Sequence, residues 1–138
     1  MKLKIAFDIG GVISKYPTIV RALMLALQEQ HEVYVLTDQH DRESVMRQLK
    51  ENGFGFIPPE RVFCADYDTY GERCKAVICE REGFDVLVDD FGGYLAGDGG
   101  AALRLLVQPD PYRPYSAPEW RGTPDEGKFG RRVAPKKA

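Results

Sequence analysis

Short apolar runs alternate with helix-spaced segments along the first 108 residues. Leu3–Phe7 is an apolar run of strand character that ends on Asp8. Pro17–Gln30 carries Ile19, Val20, Leu23 and Leu27 at helical spacing, widened by Met24, Leu25 and Ala26, and Pro17 suits the first turn. Val33–Thr37 ("VYVLT") reads as a second strand. Asp41 can cap a helix running to Asn52, with Val45, Met46 and Leu49 inward and Gly53 as its stop. Arg61–Ala65 reads as a third strand, and "TYGE" at Thr69–Glu72 has capping-box spacing for a helix to Glu82 that Gly83 ends. Phe84–Val88 ("FDVLV") is a fourth strand, and Leu103–Val107 a fifth after the Gly-rich connection 92–100.

Strand and helix in alternation predict an α/β domain, a parallel sheet covered by helices on both faces as a three-layer sandwich. Strands buried on both faces should be nearly continuous apolar runs, and "VYVLT" and "FDVLV" follow that rule. The domain is expected over residues 1–108. From Pro109 six prolines and little periodicity predict an extended tail over 109–138.

Bulk properties narrow the class without defining it. The 138 residues suit one domain with a real core. The formal net charge of −2 gives no global field that demands a polyanionic partner. The charge is uneven, with a net of −5 over residues 1–108 and +3 over the tail. Tyr112, Arg113, Tyr115, Trp120, Arg121 and "RRVAPKK" mix aromatic and basic side chains, yet the basic run is short, so nucleic acid is not the expected partner. Cys64, Cys74 and Cys79 are odd in number and lack C-x-x-C spacing, which predicts reduced thiols in a cytoplasmic protein. No apolar run reaches membrane-spanning length, so no membrane partner is expected.

The candidate chemistry lies where strands end. Strand one ends at Asp8, strand two at Thr37 and strand four at Asp89-Asp90. In an open parallel sheet all strand C-termini share one edge, and ligands bind there at the point where strand order reverses. Three carboxylates gathered at one crevice repel one another unless a cation joins them. Hard oxygen ligands favour Mg²⁺ or Ca²⁺, and Mg²⁺ with few protein ligands typically also holds a phosphate. Lys75, on the helix before strand four, would balance the carboxylates or hold an anionic substrate. Each residue alone has an ordinary reading as a turn, cap or solvated residue; their joint placement is what points to a site.

Four motifs over residues 3–107 together resemble the haloacid dehalogenase-like superfamily of phosphohydrolases. "IAFDIGGVI" is similar to the first motif, "VYVLT" to the second, Lys75 to the third and "VLVDD" to the fourth. The resemblance implies a Rossmann-like fold with strand order 3-2-1-4-5 and a Mg²⁺-dependent phosphatase acting on a phosphate monoester. Asp8 would be the nucleophile that becomes an aspartyl-phosphate. Asp8, the Gly10 carbonyl, Asp89 and Asp90 would hold Mg²⁺. Thr37 and Lys75 would bind and stabilise the transferring phosphoryl group. Backbone N–H groups around Ile9, Gly10 and Gly11, together with Asp38, would line the substrate site.

The chain departs from the family pattern at Gly10, where the usual residue is a second Asp that serves as general acid and base. Losing such a group costs about 10²–10⁴ in rate. The cost shrinks for a good leaving group such as an acyl or aryl phosphate. Asp38, His40, Asp66 and Asp68 are nearby candidates for a replacement acid. The alternative reading is a binding or regulatory module that holds metal and phosphate without efficient turnover. The short links Ile13–Pro17 and Ala65–Thr69 leave no room for a cap domain. Expected substrates are therefore a phosphorylated small molecule or nucleotide, or a macromolecular phosphate, with a lid supplied by the tail or by a second subunit of an oligomer.

Overall fold

A computed structural model describes residues 1–108; the Pro-rich segment 109–138, with the tail expected there, lies outside the described residues. Strands β1 (Lys4–Phe7), β2 (Glu32–Thr37), β3 (Val62–Cys64), β4 (Val86–Asp89) and β5 (Leu103–Leu106) form one all-parallel sheet in the order β3-β2-β1-β4-β5. Between them run α1 (Pro17–Leu27), α2 (Arg42–Glu51), α3 (Tyr67–Tyr70), α4 (Cys74–Glu82) and α5 (Gly92–Leu95). This is the expected α/β Rossmann-like architecture.

Alternation along the strands divides the interior into two cores, because successive side chains point to opposite faces. Ile5, Phe7, Val33 and Val35 pack with Val20 and Met24 of α1 and Val45 and Leu49 of α2. Ala6, Tyr34, Leu36 and Leu87 pack with Cys74, Ile78 and Cys79 of α4. β1 is central: Phe7 registers with Val35 on one side and Val88 on the other. Asp8 and Asp89, which follow Phe7 and Val88, therefore emerge together at the C-terminal edge, beside the β2 end at Thr37.

Two local expectations need correction. α1 ends at Leu27 rather than Gln30, because the N–H groups of Gln30 and His31 both turn back to the Leu27 carbonyl. Its buried residues are Pro17, Val20 and Met24, while Ile19 and Leu23 are exposed. The helix expected over Thr69–Glu82 is split. The Asp66 carboxylate caps α3 by accepting from the Thr69 N–H, so Thr69 is not the cap. Gly71 at φ +60 then breaks the run, and a short 3₁₀ turn over Gly71–Arg73 leads into α4. Half-buried His31 ties the start of β1 to the turn before β2, its Nδ1 accepting from the Leu3 N–H at 3.0 Å. The apolar run of β5 is not buried, with Leu103, Leu105 and Leu106 exposed on an edge strand.

Candidate functional site

β1 and β4 are hydrogen-bonded neighbours, and the Asp8 N–H continues their ladder by donating to the Val88 carbonyl at 2.9 Å. Asp8 and the Asp89-Asp90 pair are thereby brought side by side. One carboxylate oxygen from each of the three lies within 4.8 Å of the others. Asp8 and Asp89 are fully buried, and Asp90 is 9% exposed. At that spacing each pair of full charges repels by about 3 kcal/mol at an effective dielectric near 20.

Lys75 enters from the opposite core. The split of the expected helix places it as the second residue of α4, within the first turn. A cation there opposes the positive end of the helix dipole. What holds it is a pair of charge-assisted bonds: Nζ donates to Asp8 Oδ1 and to Asp89 Oδ2, each at 2.7 Å, with all three side chains at zero exposure. The Nζ also lies 4.9 Å from the centroid of the Tyr94 ring. The Asp89 carboxylate accepts in addition from the Phe91 N–H at 3.0 Å.

Three carboxylates and the Lys75 ammonium thus meet within one buried cluster. Burial, and then the charge of Asp8, push the Asp89 carboxyl up to about 7, against the opposing pull of Lys75 and the Phe91 N–H. Converging carboxylate oxygens are a donor set that suits a hard divalent cation such as Mg²⁺ or Ca²⁺.

The loop after β1 makes room for this arrangement. Ile9–Ile13 forms a wide turn in which the Ser14 N–H bonds to the Ile9 carbonyl at 2.9 Å. Gly11 sits at φ +80, and a Cβ there would fall 2.0 Å from Asp90 Oδ2. Only glycine fits this position, for backbone and for space. Gly10 is different. Its φ −66 and ψ 124 are ordinary extended values that any residue adopts. Backbone conformation does not require glycine where the family pattern carries an acid.

The remaining sequence candidates divide. Thr37 is buried at the end of β2, one strand from Asp8, and its hydroxyl accepts from the Gln39 N–H at 3.2 Å. The Asp38 carboxylate accepts from the Tyr94 hydroxyl at 2.7 Å. Of the backbone donors expected to cradle phosphate, the Gly11 N–H donates to the Ser14 hydroxyl at 3.1 Å. Asp66 is spent on capping α3, and His40 and Asp68 are exposed. The three-carboxylate cluster includes none of Asp38, His40, Asp66 or Asp68.

Sequence reasoning missed two contributors. Ser14 is fully buried and ties down the loop, three residues before Pro17 of α1, where a serine reads as an ordinary turn residue. Tyr94 is 5% exposed and joins Asp38 to Lys75. Its one available signal was a large side chain within "DDFGGYLAGDGG".

No protein-family model, curated protein or solved structure is significantly similar to the chain. Among the described residues, no helix is long and apolar enough to cross a membrane.

Proposed function

We propose that the protein is a Mg²⁺-dependent phosphatase of haloacid dehalogenase-like type, acting on a phosphate monoester through an aspartyl-phosphate on Asp8. The observation that carries this reading is the buried cluster in which Lys75 bridges Asp8 and Asp89 while Asp90 completes three converging carboxylates. Gathering three buried carboxylates around one lysine costs several kcal/mol of desolvation per ion, a penalty that stability alone seldom justifies. A buried carboxylate cluster in which one carboxyl is raised to about 7 points to a function that uses it.

Asp8, Asp89, Asp90 and the Gly10 carbonyl would hold Mg²⁺, which shields the phosphoryl oxygens so that an anionic nucleophile can approach. Asp8 attacks phosphorus with the carboxylate oxygen that Lys75 does not engage. Lys75 offsets charge on Asp8 and on the transferring group. Thr37 donates its hydroxyl to a phosphoryl oxygen, a role its acceptance from the Gln39 N–H leaves available. The rival reading, a module that binds metal and phosphate without efficient turnover, is favoured by Gly10 alone. An acid-quenched reaction with an aryl phosphate and Mg²⁺ separates the two. A mass gain of one phosphoryl group, removed by hydroxylamine and absent in Asp8→Asn, supports the phosphatase; phosphate binding with no adduct and no turnover supports the module.

A further inference from the structure

We infer that the substrate is an aryl phosphate, whose ring stacks on an aromatic rim beside the carboxylates; this rests on the phosphatase reading above. Three observations converge on it. Phe91 follows the Asp89-Asp90 pair directly, its N–H bonds to Asp89, and its ring is 41% exposed. Tyr67, on the helix that follows β3, is 44% exposed. Both rings meet buried Tyr94, Phe91 edge-on at 4.8 Å and Tyr67 at 6.4 Å. Tyr94 in turn lies against Lys75 and donates to Asp38. A continuous set of rings therefore runs from the buried lysine to the surface, and its exposed outer members are where the ring of a substrate would stack.

The second support is chemical. Gly10 supplies no proton to the leaving group, and its backbone angles would admit a residue that does. An aryl oxygen needs none. The Asp8 carboxylate oxygen forms a bond to phosphorus, and the ester P–O bond breaks with its electron pair on the aryl oxygen. The aryloxide departs as the anion of an acid with pKa of about 10, as for tyrosine. Water then attacks the phosphorus of the aspartyl-phosphate, releasing Asp8 as carboxylate. The water's proton passes through inorganic phosphate to the aryloxide. An alkoxide leaving group is far more basic and would carry the full penalty of a missing acid, about 10²–10⁴ in rate.

The test compares phenyl phosphate with glycerol phosphate as substrates, and phenylphosphonate with methylphosphonate as ligands by calorimetry, all with Mg²⁺. Phenyl phosphate is expected to exceed glycerol phosphate in kcat/KM by about 100-fold or more, and Gly10→Asp to narrow that gap. Phenylphosphonate is expected to bind more tightly than methylphosphonate by about two- to tenfold, an advantage lost in Phe91→Ala and Tyr67→Ala. Equal turnover of both esters, or equal binding of both phosphonates, overturns the aryl assignment while leaving the phosphatase intact. Turnover of neither ester with binding of neither phosphonate removes the phosphatase reading, and the aryl assignment with it.

Discussion

Lys75 Nζ lies 2.7 Å from Asp8 Oδ1, although 67 positions separate the two residues in the chain. The contact joins the helix of one core to the strand end of the sheet at zero exposure. An ammonium in that place bridges two buried carboxylates, so its removal isolates charge rather than merely deleting a contact.

Replacing Lys75 by Met should therefore destabilise the fold in a pH-dependent way. Breaking a buried pair from one side costs about 3–5 kcal/mol. The Asp89 carboxyl, already raised by burial and by Asp8, loses the lysine that pulls its folded pKa down and rises further above its unfolded value. Stability from such groups is present below the unfolded value and lost as pH rises through the folded value. Chemical denaturation should show a large deficit at about pH 8 that shrinks toward about pH 5. A deficit independent of pH would count against the charge account.

Mg²⁺ should raise the melting temperature, and more so as pH increases. The Asp89 carboxyl, raised to about 7 by burial and by Asp8, keeps its proton below that value and competes with the ion. A ligand at 100 times its dissociation constant stabilises by about 2.7 kcal/mol. The shift should be small near pH 6, large near pH 8, and absent in Asp90→Asn. An equal shift at both pH values would remove the proton–metal exchange.

Gly11→Ala should fold less stably and lose the Mg²⁺ response. The left-handed backbone costs about 1–2 kcal/mol for a residue with a Cβ, and here the Cβ also meets Asp90 Oδ2 at 2.0 Å. Gly83→Ala is the control: it shares a positive φ, 73, with nothing within 4 Å of the added carbon. It should lose a similar backbone term and keep the Mg²⁺ shift. Loss of the shift in both variants would mean that Asp90's contact with Gly11 is not the cause.

Much of this architecture is written in the chain, and the failures have physical reasons. The strands were legible because "IAF", "VYVL" and "VLV" are uninterrupted apolar runs ended by polar groups. The C-terminal location of Asp8, Thr37 and Asp89 followed from parallel pairing alone. The inward face of α1 was not legible, because Leu23 to Leu27 are all apolar and such a run carries no phase. Val20 belongs to either stripe, and packing against β1 and β2 chose Met24 over Leu23. Gly71 inside an apparent capping box was read as helix, where its positive φ ends one. The burial of Lys75 was beyond the sequence, since only the meeting of two strand ends supplies its partners.

The three cysteines should differ in reactivity. Burial raises the thiol pKa at each, and that of Cys79 reaches about 11. Cys64 alone is partly exposed. At about pH 8, a thiol reagent should modify Cys64 first and reach Cys74 and Cys79 only on unfolding. Simultaneous labelling of all three in the native protein would contradict the packing of α4 against the sheet.

Hydrolysis of phenyl phosphate by the wild-type protein and by Asp8→Asn, each with Mg²⁺ and with EDTA, tests the central claim most directly. The account predicts turnover by the wild type with Mg²⁺ and none in the other three conditions. Turnover that survives Asp8→Asn, or a wild-type protein that binds Mg²⁺ and phosphate yet releases no phenol, would contradict it.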